Sequence, residues 1–165
     1  MELEHAKALA YDLMSDFGLY YWSFKFDNRK LRFGLCDELT KTISLSKPLV
    51  LLNGEEVVEH VILHEIAHAL VGTRHKHNHV FQQKAQEIGS IFTTRYPSGN
   101  IVYVPKNVIA QCTNCGKIFK KYRMPRKDYS CGKCSGGSFN EEFLLVYKRD
   151  DSSSEISLQR IQNEK

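Results

Sequence analysis

The segment His64-Glu65-Ile66-Ala67-His68 constrains this chain more than any other. On a helix, residues four apart share a face one turn apart. Two imidazoles so placed can converge on one Zn²⁺ at about 2.0–2.1 Å. Glu65 is one residue past His64, so its carboxylate can act beside the ion as a base without being a ligand. This is the minimal layout of a zinc hydrolase. The surroundings favour a helix. Asn53, with Glu56 three residues later, reads as a capping box. The predicted helix runs from about Gly54 to about Val71 and stops at Gly72. Val57, Val61, His64, His68 and Val71 fall on one stripe, so the histidines continue an apolar, inward-facing row.

Upstream, Leu3, Ala6, Leu9, Ala10, Leu13 and Phe17 recur at helical spacing before Gly18, which predicts a first amphipathic helix. Trp22, Phe24 and Phe26 alternate with polar residues, as in a half-buried strand. Asp27-Asn28-Arg29-Lys30 reads as a turn. Leu31, Phe33 and Leu35 alternate again, and Thr42 to Ser46 reads as a third short strand. These two or three strands are expected to be antiparallel. A further helix is expected from Val80 to about Phe92, a turn at Tyr96 to Asn100 and a strand at Ile101 to Val104. The tail from Asp150 has few apolar residues and is expected to be loose or disordered.

Cys112-x2-Cys115 and Cys131-x2-Cys134 form a second constellation. Each pair makes a knuckle that aims two thiolates at one ion, and four thiolates close a tetrahedral structural zinc site. Gly116 and Gly132 suit the tight turns, and a thioredoxin-like redox pair would lack its βαβ context. Cys36 is left over and reads as a buried structural thiol. No apolar run reaches the roughly 20 residues of a membrane span. The acidic, amphipathic start, Met1-Glu2-Leu3-Glu4-His5, is unlike a signal peptide. An intracellular protein follows, with cysteines as metal ligands rather than disulfides.

The net charge of +4 is unevenly spread. Residues 1–105 balance at −1, residues 106–148 at +6 and residues 149–165 at −1. The basic excess lies wholly in the cysteine-bearing segment, which points to a polyanion, most plausibly nucleic acid. Lys117, Lys120, Lys121, Arg123, Arg126 and Lys127 are the candidate phosphate contacts. Phe119, Tyr122 and Tyr129 are interleaved with them and could stack on unpaired bases. Phe119 and Tyr129 are expected chiefly to form the small core of this segment.

A catalytic zinc needs a third protein ligand. His60 lies a full turn before His64, about 5.4 Å further along the axis, and is poorly placed. His5 has no supporting context. His77 is the leading candidate, because a helix starting after Asn78 would put Phe81 beneath the metal. His75, His79 and Glu87 remain alternatives. His75 misses the HExxHxxGxxH spacing by one residue, and Glu87 lies on a helical stretch where some zinc peptidases place a carboxylate.

Taken together, these residues resemble the SprT-like zinc metalloproteases, the group that includes the Spartan protease. Their motif is HExxH, a short loop, then His-Gly-x-x-aromatic. His64, Glu65 and His68 match the first part, and His77 with Phe81 match the second. The family glycine is Asn78 here, a residue that tolerates a left-handed backbone. Phe33-Gly34-Leu35-Cys36 and Ile43 to Ser46 are similar to the family's strand pair before the active helix, and a C-terminal zinc ribbon is common in the group.

The resemblance implies an α+β, zincin-like fold in which helices pack on a small, mostly antiparallel sheet, followed by a small β zinc ribbon. The expected division is 1–108 catalytic, 109–148 ribbon and 149–165 tail. It implies two Zn²⁺ per chain, one catalytic on His64, His68 and His77 and one structural on the four cysteines. Glu65 would be the general base. Substrates would be proteins associated with DNA, as in processing DNA–protein crosslinks, and DNA binding would depend only weakly on base sequence. The expected location is cytoplasmic and DNA-associated, or nuclear in a eukaryotic host. The alternatives are a non-catalytic DNA-binding or recruiting module with a relic zinc site, and a zinc hydrolase of non-peptide substrates.

Overall fold

A computed structural model describes residues 1–91, 94 and 101–150. The chain divides into two compact units, Met1–Val104 and Pro105–Lys165. The expected turn at Tyr96 to Asn100 and the tail beyond Asp150 lie outside the described residues.

In the first unit, α1 (Leu3–Asp16) buries Ala6, Ala10 and Met14, one per helical turn. Gly18, at φ 74°, ends it in a backbone state that suits glycine. Three strands follow: β1 (Ser23–Asp27), β2 (Gly34–Asp37) and β3 (Thr42–Ser46). They pair in the order β1-β3-β2. β2 and β3 form an antiparallel hairpin. Asp37 tightens its turn, with Oδ1 accepting from the backbone N–H groups of Leu39 (3.1 Å) and Thr40 (3.2 Å).

β1, by contrast, lies parallel to β3, with Phe24 opposite Ile43 and Phe26 opposite Leu45. The sheet is therefore mixed, where antiparallel neighbours were expected. The reason lies in the 28–33 link. Asp27 does make a turn, accepting from Arg29 N at 2.9 Å, but the chain then crosses the end of β3. There Ser46 N donates to Phe33 O at 2.7 Å and the Ser46 hydroxyl donates to Arg29 O. β3 becomes the central strand and all five of its residues are buried.

Ser46 also caps a short helix that the sequence pattern did not reveal, α2 (Lys47–Leu52), with its Oγ accepting from Leu49 N at 3.3 Å and a proline in the first turn. The active helix, α3, spans Glu55–Val71 and is capped by Gly54 without a side-chain bond. Asn53 is therefore not the cap that was expected. Its amide instead donates to Leu49 O (2.7 Å) and Val102 O (2.9 Å) and accepts from Val102 N (2.8 Å). That pair of bonds imitates a strand partner and satisfies Val102, so Ile101 to Val104 runs as an extended segment rather than a strand. α3 buries Val58, Val61, Ile62, Leu63, His64, Glu65, Ile66 and Ala67. The core lies between α1, α3 and the sheet, with Phe33, Ile43, Leu45, Val61, Ile62 and Ile66 at its centre. α4 is shorter than expected, His79–Glu87.

The second unit is a three-stranded antiparallel sheet, β4 (Val108–Cys112), β5 (Ile118–Lys121) and β6 (Leu145–Arg149), in the order β5-β4-β6. Its buried residues include Val108, Ala110, Cys112 and Cys131. Tyr129, expected in this core, is 46% exposed. Two of the cysteines, Cys112 and Cys131, take buried positions in this unit, while Cys115 is exposed.

Candidate metal centre and catalytic cleft

α3 turns His64 and His68 to one side, and the chain then has to return with a third ligand. Gly72, at φ 88°, ends the helix. A single 3₁₀ turn follows at Thr73–His75. Glu38, from the β2–β3 turn, holds it: Oε2 accepts from Thr73 N at 2.9 Å and from the Thr73 hydroxyl at 2.8 Å. These two bonds keep the Glu38 carboxyl below its usual range. The next turn closes with Asn78 N donating to His75 O at 3.0 Å. Its second residue, Lys76, takes φ 49° and ψ −117°, a conformation normally left to glycine. For a residue with a side chain it costs about 1–3 kcal/mol.

Asn78 is not left-handed. At φ −73° it caps α4, accepting from Val80 N (3.1 Å) and Phe81 N (3.3 Å). Glycine's freedom, expected to be needed at Asn78, is needed two residues earlier. Gln82 secures the ligand's own backbone, donating to His77 O at 2.8 Å.

The result is a triad of imidazoles. His77 Nε2 lies 3.1 Å from His64 Nε2 and 3.2 Å from His68 Nε2. A tetrahedral ion with Zn–N bonds of ~2.0–2.1 Å sets its ligand nitrogens ~3.3 Å apart, so the three nitrogens fit one. Phe81, fully buried, closes the cluster from below, with ring centroids 4.8 Å from His64, 4.1 Å from His68 and 5.0 Å from His77. Burial, then the two neighbouring imidazoles, pushes the His68 pKa down to about 3. That keeps it in the neutral form a metal requires.

The rivals lie elsewhere. His75 contacts Asn78 Nδ2 (3.2 Å) and Arg74 Nε (3.4 Å). Glu87 is paired with Lys84 at 2.7 Å, and His79 is exposed at the start of α4. None of the three joins a metal-ligating group among the described residues.

Glu65 is 4% exposed and lies against Gly34 of β2. A Cβ at Gly34 would sit 2.7 Å from Glu65 Cγ and 2.9 Å from Cδ, and would overlap Oε1. A glycine in a strand can mark such a close approach, a signal from which Gly34 could have been found but which its place in the segment Phe33 to Cys36 did not single out. Histidines, Glu65 and Gly34 share a cleft of about 430 Å³ whose walls also include Arg32, Leu35, Cys36, Thr73 and Lys76. Cys36 is buried as expected, and its thiol is pushed up to about 12 by burial first and then by Glu65, Glu38 and Asp37. β2 is an edge strand, with one side paired to β3.

The architecture now meets its family. The SprT-like family model matches residues 8–102, more than half of the sequence. This chain belongs to the SprT-like family. No curated protein matches the sequence. SprT-like proteins are typically metalloprotease-like, and the triad and Glu65 lie within the matched residues.

Beyond the matched residues, the four cysteines of this SprT-like chain form a second group. Cys112 Sγ lies 3.9 Å from Cys134 Sγ, and Cys115 Sγ lies 3.7 Å from Cys131 Sγ. Zn–S bonds of ~2.3 Å predict ~3.8 Å between tetrahedral sulfurs, so this set also fits an ion. Gly116 at φ 68° completes the first knuckle, and its N–H donates to Cys112 O at 3.0 Å. Backbone N–H groups of Cys134, then Lys133, help draw the Cys131 thiol down to about 7.

Lys121 and Arg123 line a hollow of about 350 Å³ with Phe119, Tyr129 and Tyr147. Lys120 alternates to the other side of β5. Lys117 and Lys127 lie over the rings of Phe119 (5.1 Å) and Tyr129 (5.4 Å), and Arg126 is exposed outside the hollow. No helix among the described residues is long and apolar enough to cross a membrane.

Proposed function

We propose that this SprT-like protein is a zinc-dependent endopeptidase acting on proteins bound to DNA, in the processing of DNA–protein crosslinks. The observation that carries the reading is the convergence of three imidazole nitrogens at tetrahedral spacing beside a buried carboxylate in an open cleft. A bound zinc would polarise the scissile carbonyl and make water acidic enough to be a nucleophile near neutral pH. His64, His68 and His77 would hold it. Glu65 Oε takes the proton from the attacking water and returns it to the leaving amine. Gly34 keeps that carboxylate in register. An extended peptide can lie along the outer edge of β2 and pair with its backbone.

The four-cysteine unit holds a structural zinc and contributes the nucleic-acid contacts, through Lys121, Arg123 and the aromatic hollow, with Lys117, Lys120, Arg126 and Lys127 around it. On this reading the protein works on DNA, in the cytoplasm or, in a eukaryote, the nucleus.

The test is cleavage of casein and histone by the zinc-loaded chain, with and without DNA, beside Glu65→Gln. Cleavage by the wild type and none by the variant is expected. Binding to DNA should fall with a log–log salt slope of about −0.9 per phosphate contact, flattened when Lys120, Lys121 and Arg123 are neutralised together. Zinc-loaded wild type that cuts neither protein would overturn the peptidase reading. An unchanged salt slope would remove the ribbon from the DNA contact.

A further inference from the structure

The catalytic cleft is charged on two sides. Lys76 lies on the wall formed by the metal loop, and Arg32 lies on the wall that leads into β2. Among the described residues, the carboxylate lining the cleft is that of Glu65, which is 4% exposed. The remaining neutral lining, Gly34, Leu35, Cys36 and Thr73, contributes no charge. A substrate side chain entering the cleft therefore meets two cations, while the exposed carboxylate of Glu38, behind the wall, is taken up by two hydrogen bonds from Thr73, before any metal charge is added.

Lys76 is exposed, and Arg32 is half-buried. Among the described residues, Lys76 makes no ion pair. Arg32 has one distant partner, Asp27 Oδ2 at 3.8 Å, which it shares with Arg29 Nε at the same distance. Arg32 Nη2 is buried with no hydrogen-bond acceptor.

The backbone gives an independent reason to single out Lys76. It occupies φ 49°, ψ −117°, where a glycine would sit without strain. Lys41 also has a positive φ, 47°, in the β2–β3 turn; Lys76 differs in standing next to a metal ligand on the cleft wall, where strained residues tend to cluster with function.

We propose that Lys76 and Arg32 make this cleft selective for peptide segments bearing an acidic side chain beside the scissile bond. The inference rests on the peptidase reading for the term "scissile", while the charge selection stands on the cleft itself. A nucleic-acid phosphate is the competing occupant. A cleft of about 430 Å³ walled by the triad admits a few side chains and excludes a duplex roughly 20 Å across, given grooves about 12 and 6 Å wide. Acidic selection also suits a DNA-bound substrate, whose acidic segments face away from the phosphates and are free to enter.

The experiment uses the full zinc-loaded chain and matched peptide pairs that differ only in Asp or Glu against Asn or Gln near the cut. Cleavage is read with the wild type, and binding without turnover is read by fluorescence anisotropy on Glu65→Gln. The acidic member should be favoured by about tenfold, since each partly exposed ion pair contributes about two- to fivefold. Arg32→Gln should lower that preference, and Lys76→Glu should abolish or reverse it. Lys76→Gly is the decisive variant: it relieves the backbone, so it should melt no lower than the wild type and yet lose selectivity. Equal cleavage and binding of both peptides by the wild type overturns the proposal, as does full selectivity in Lys76→Gly. Acidic peptides that bind but are never cut would refute the peptidase reading and leave the charge selection standing. If a single-stranded oligonucleotide displaces the peptides, and Lys76→Glu weakens the oligonucleotide alone, the cleft cations serve phosphate instead and the proposal falls.

Discussion

Gly34→Ala tests whether the catalytic carboxylate is positioned by a glycine with no room to spare. The added methyl would stand 2.7 Å from Glu65 Cγ and 2.9 Å from Cδ, against an ordinary carbon–carbon separation of about 3.5–4.0 Å. Something must therefore move by about 1 Å. The strand cannot give easily, because Gly34 is opposite Leu45 and Cys36 is opposite Ile43 in the β2–β3 ladder. The helix cannot either, since α3 is buried on several sides from Val61 to Ala67. The Glu65 side chain, whose Cγ and Cδ are the atoms met, is the part that must shift. Overpacking of this kind costs about 1–3 kcal/mol, which in a unit of this size lowers Tm by about 4–8 °C per kcal/mol. A 1 Å misplacement of a catalytic group costs about 100-fold in rate. Steady-state kinetics with metal analysis should therefore show kcat down about 100-fold, with the histidine-site zinc retained, because the three atoms nearest the added methyl all belong to Glu65. Wild-type kcat in the variant would refute the argument. So would loss of that zinc, which would mean that the whole site had collapsed.

Four further outcomes are expected. His77→Ala should empty the histidine site and leave the cysteine-bound zinc, while His75→Ala keeps both, as read by metal analysis after mild chelation; the reverse pattern would mean that the ligand loop has been misassigned. Glu38→Ala should loosen the clamp on Thr73 and weaken zinc at the histidine site by about tenfold, the usual size for a group that orients ligands, with Glu38→Gln intermediate and the cysteine site unmoved. Phe81→Ala should destabilise the first unit by about 3–5 kcal/mol in denaturant melts. His68, with its pKa pushed down to about 3 from 6.5, makes the unfolded state of the metal-free protein the better proton binder between those values. Stability should therefore fall as pH drops below about 6.5, and flat melts between pH 7 and pH 5 would refute that coupling.

What the sequence made legible was chemistry written in local spacing. His64 and His68 are four residues apart on a helix with Glu65 next to the first, and the two cysteine pairs are each knuckles, so their geometry follows from the chain's own period. Phe81 was legible for the same reason, lying one turn after a cap. What escaped was decided between residues far apart in the chain. Asn53 looked like a helix cap because nothing nearby announces Val102, its partner 49 residues on. The parallel pairing of β1 with β3 depends on Ser46 holding a link that ends at Phe33, whereas the pattern of alternation is the same for either direction of pairing. Glu38 and Thr73 are 35 residues apart, and neither belongs to a motif. Lys76 shows the sharpest limit. Turn rules look for Gly, Asn or Asp where φ is positive, so attention falls on Asn78, and a lysine in that conformation is invisible until the backbone is traced. Local rules predict the residue that makes a conformation easy. At Lys76 the side chain that tolerates this conformation lies on the wall of the cleft beside the third histidine, a placement that local rules do not encode.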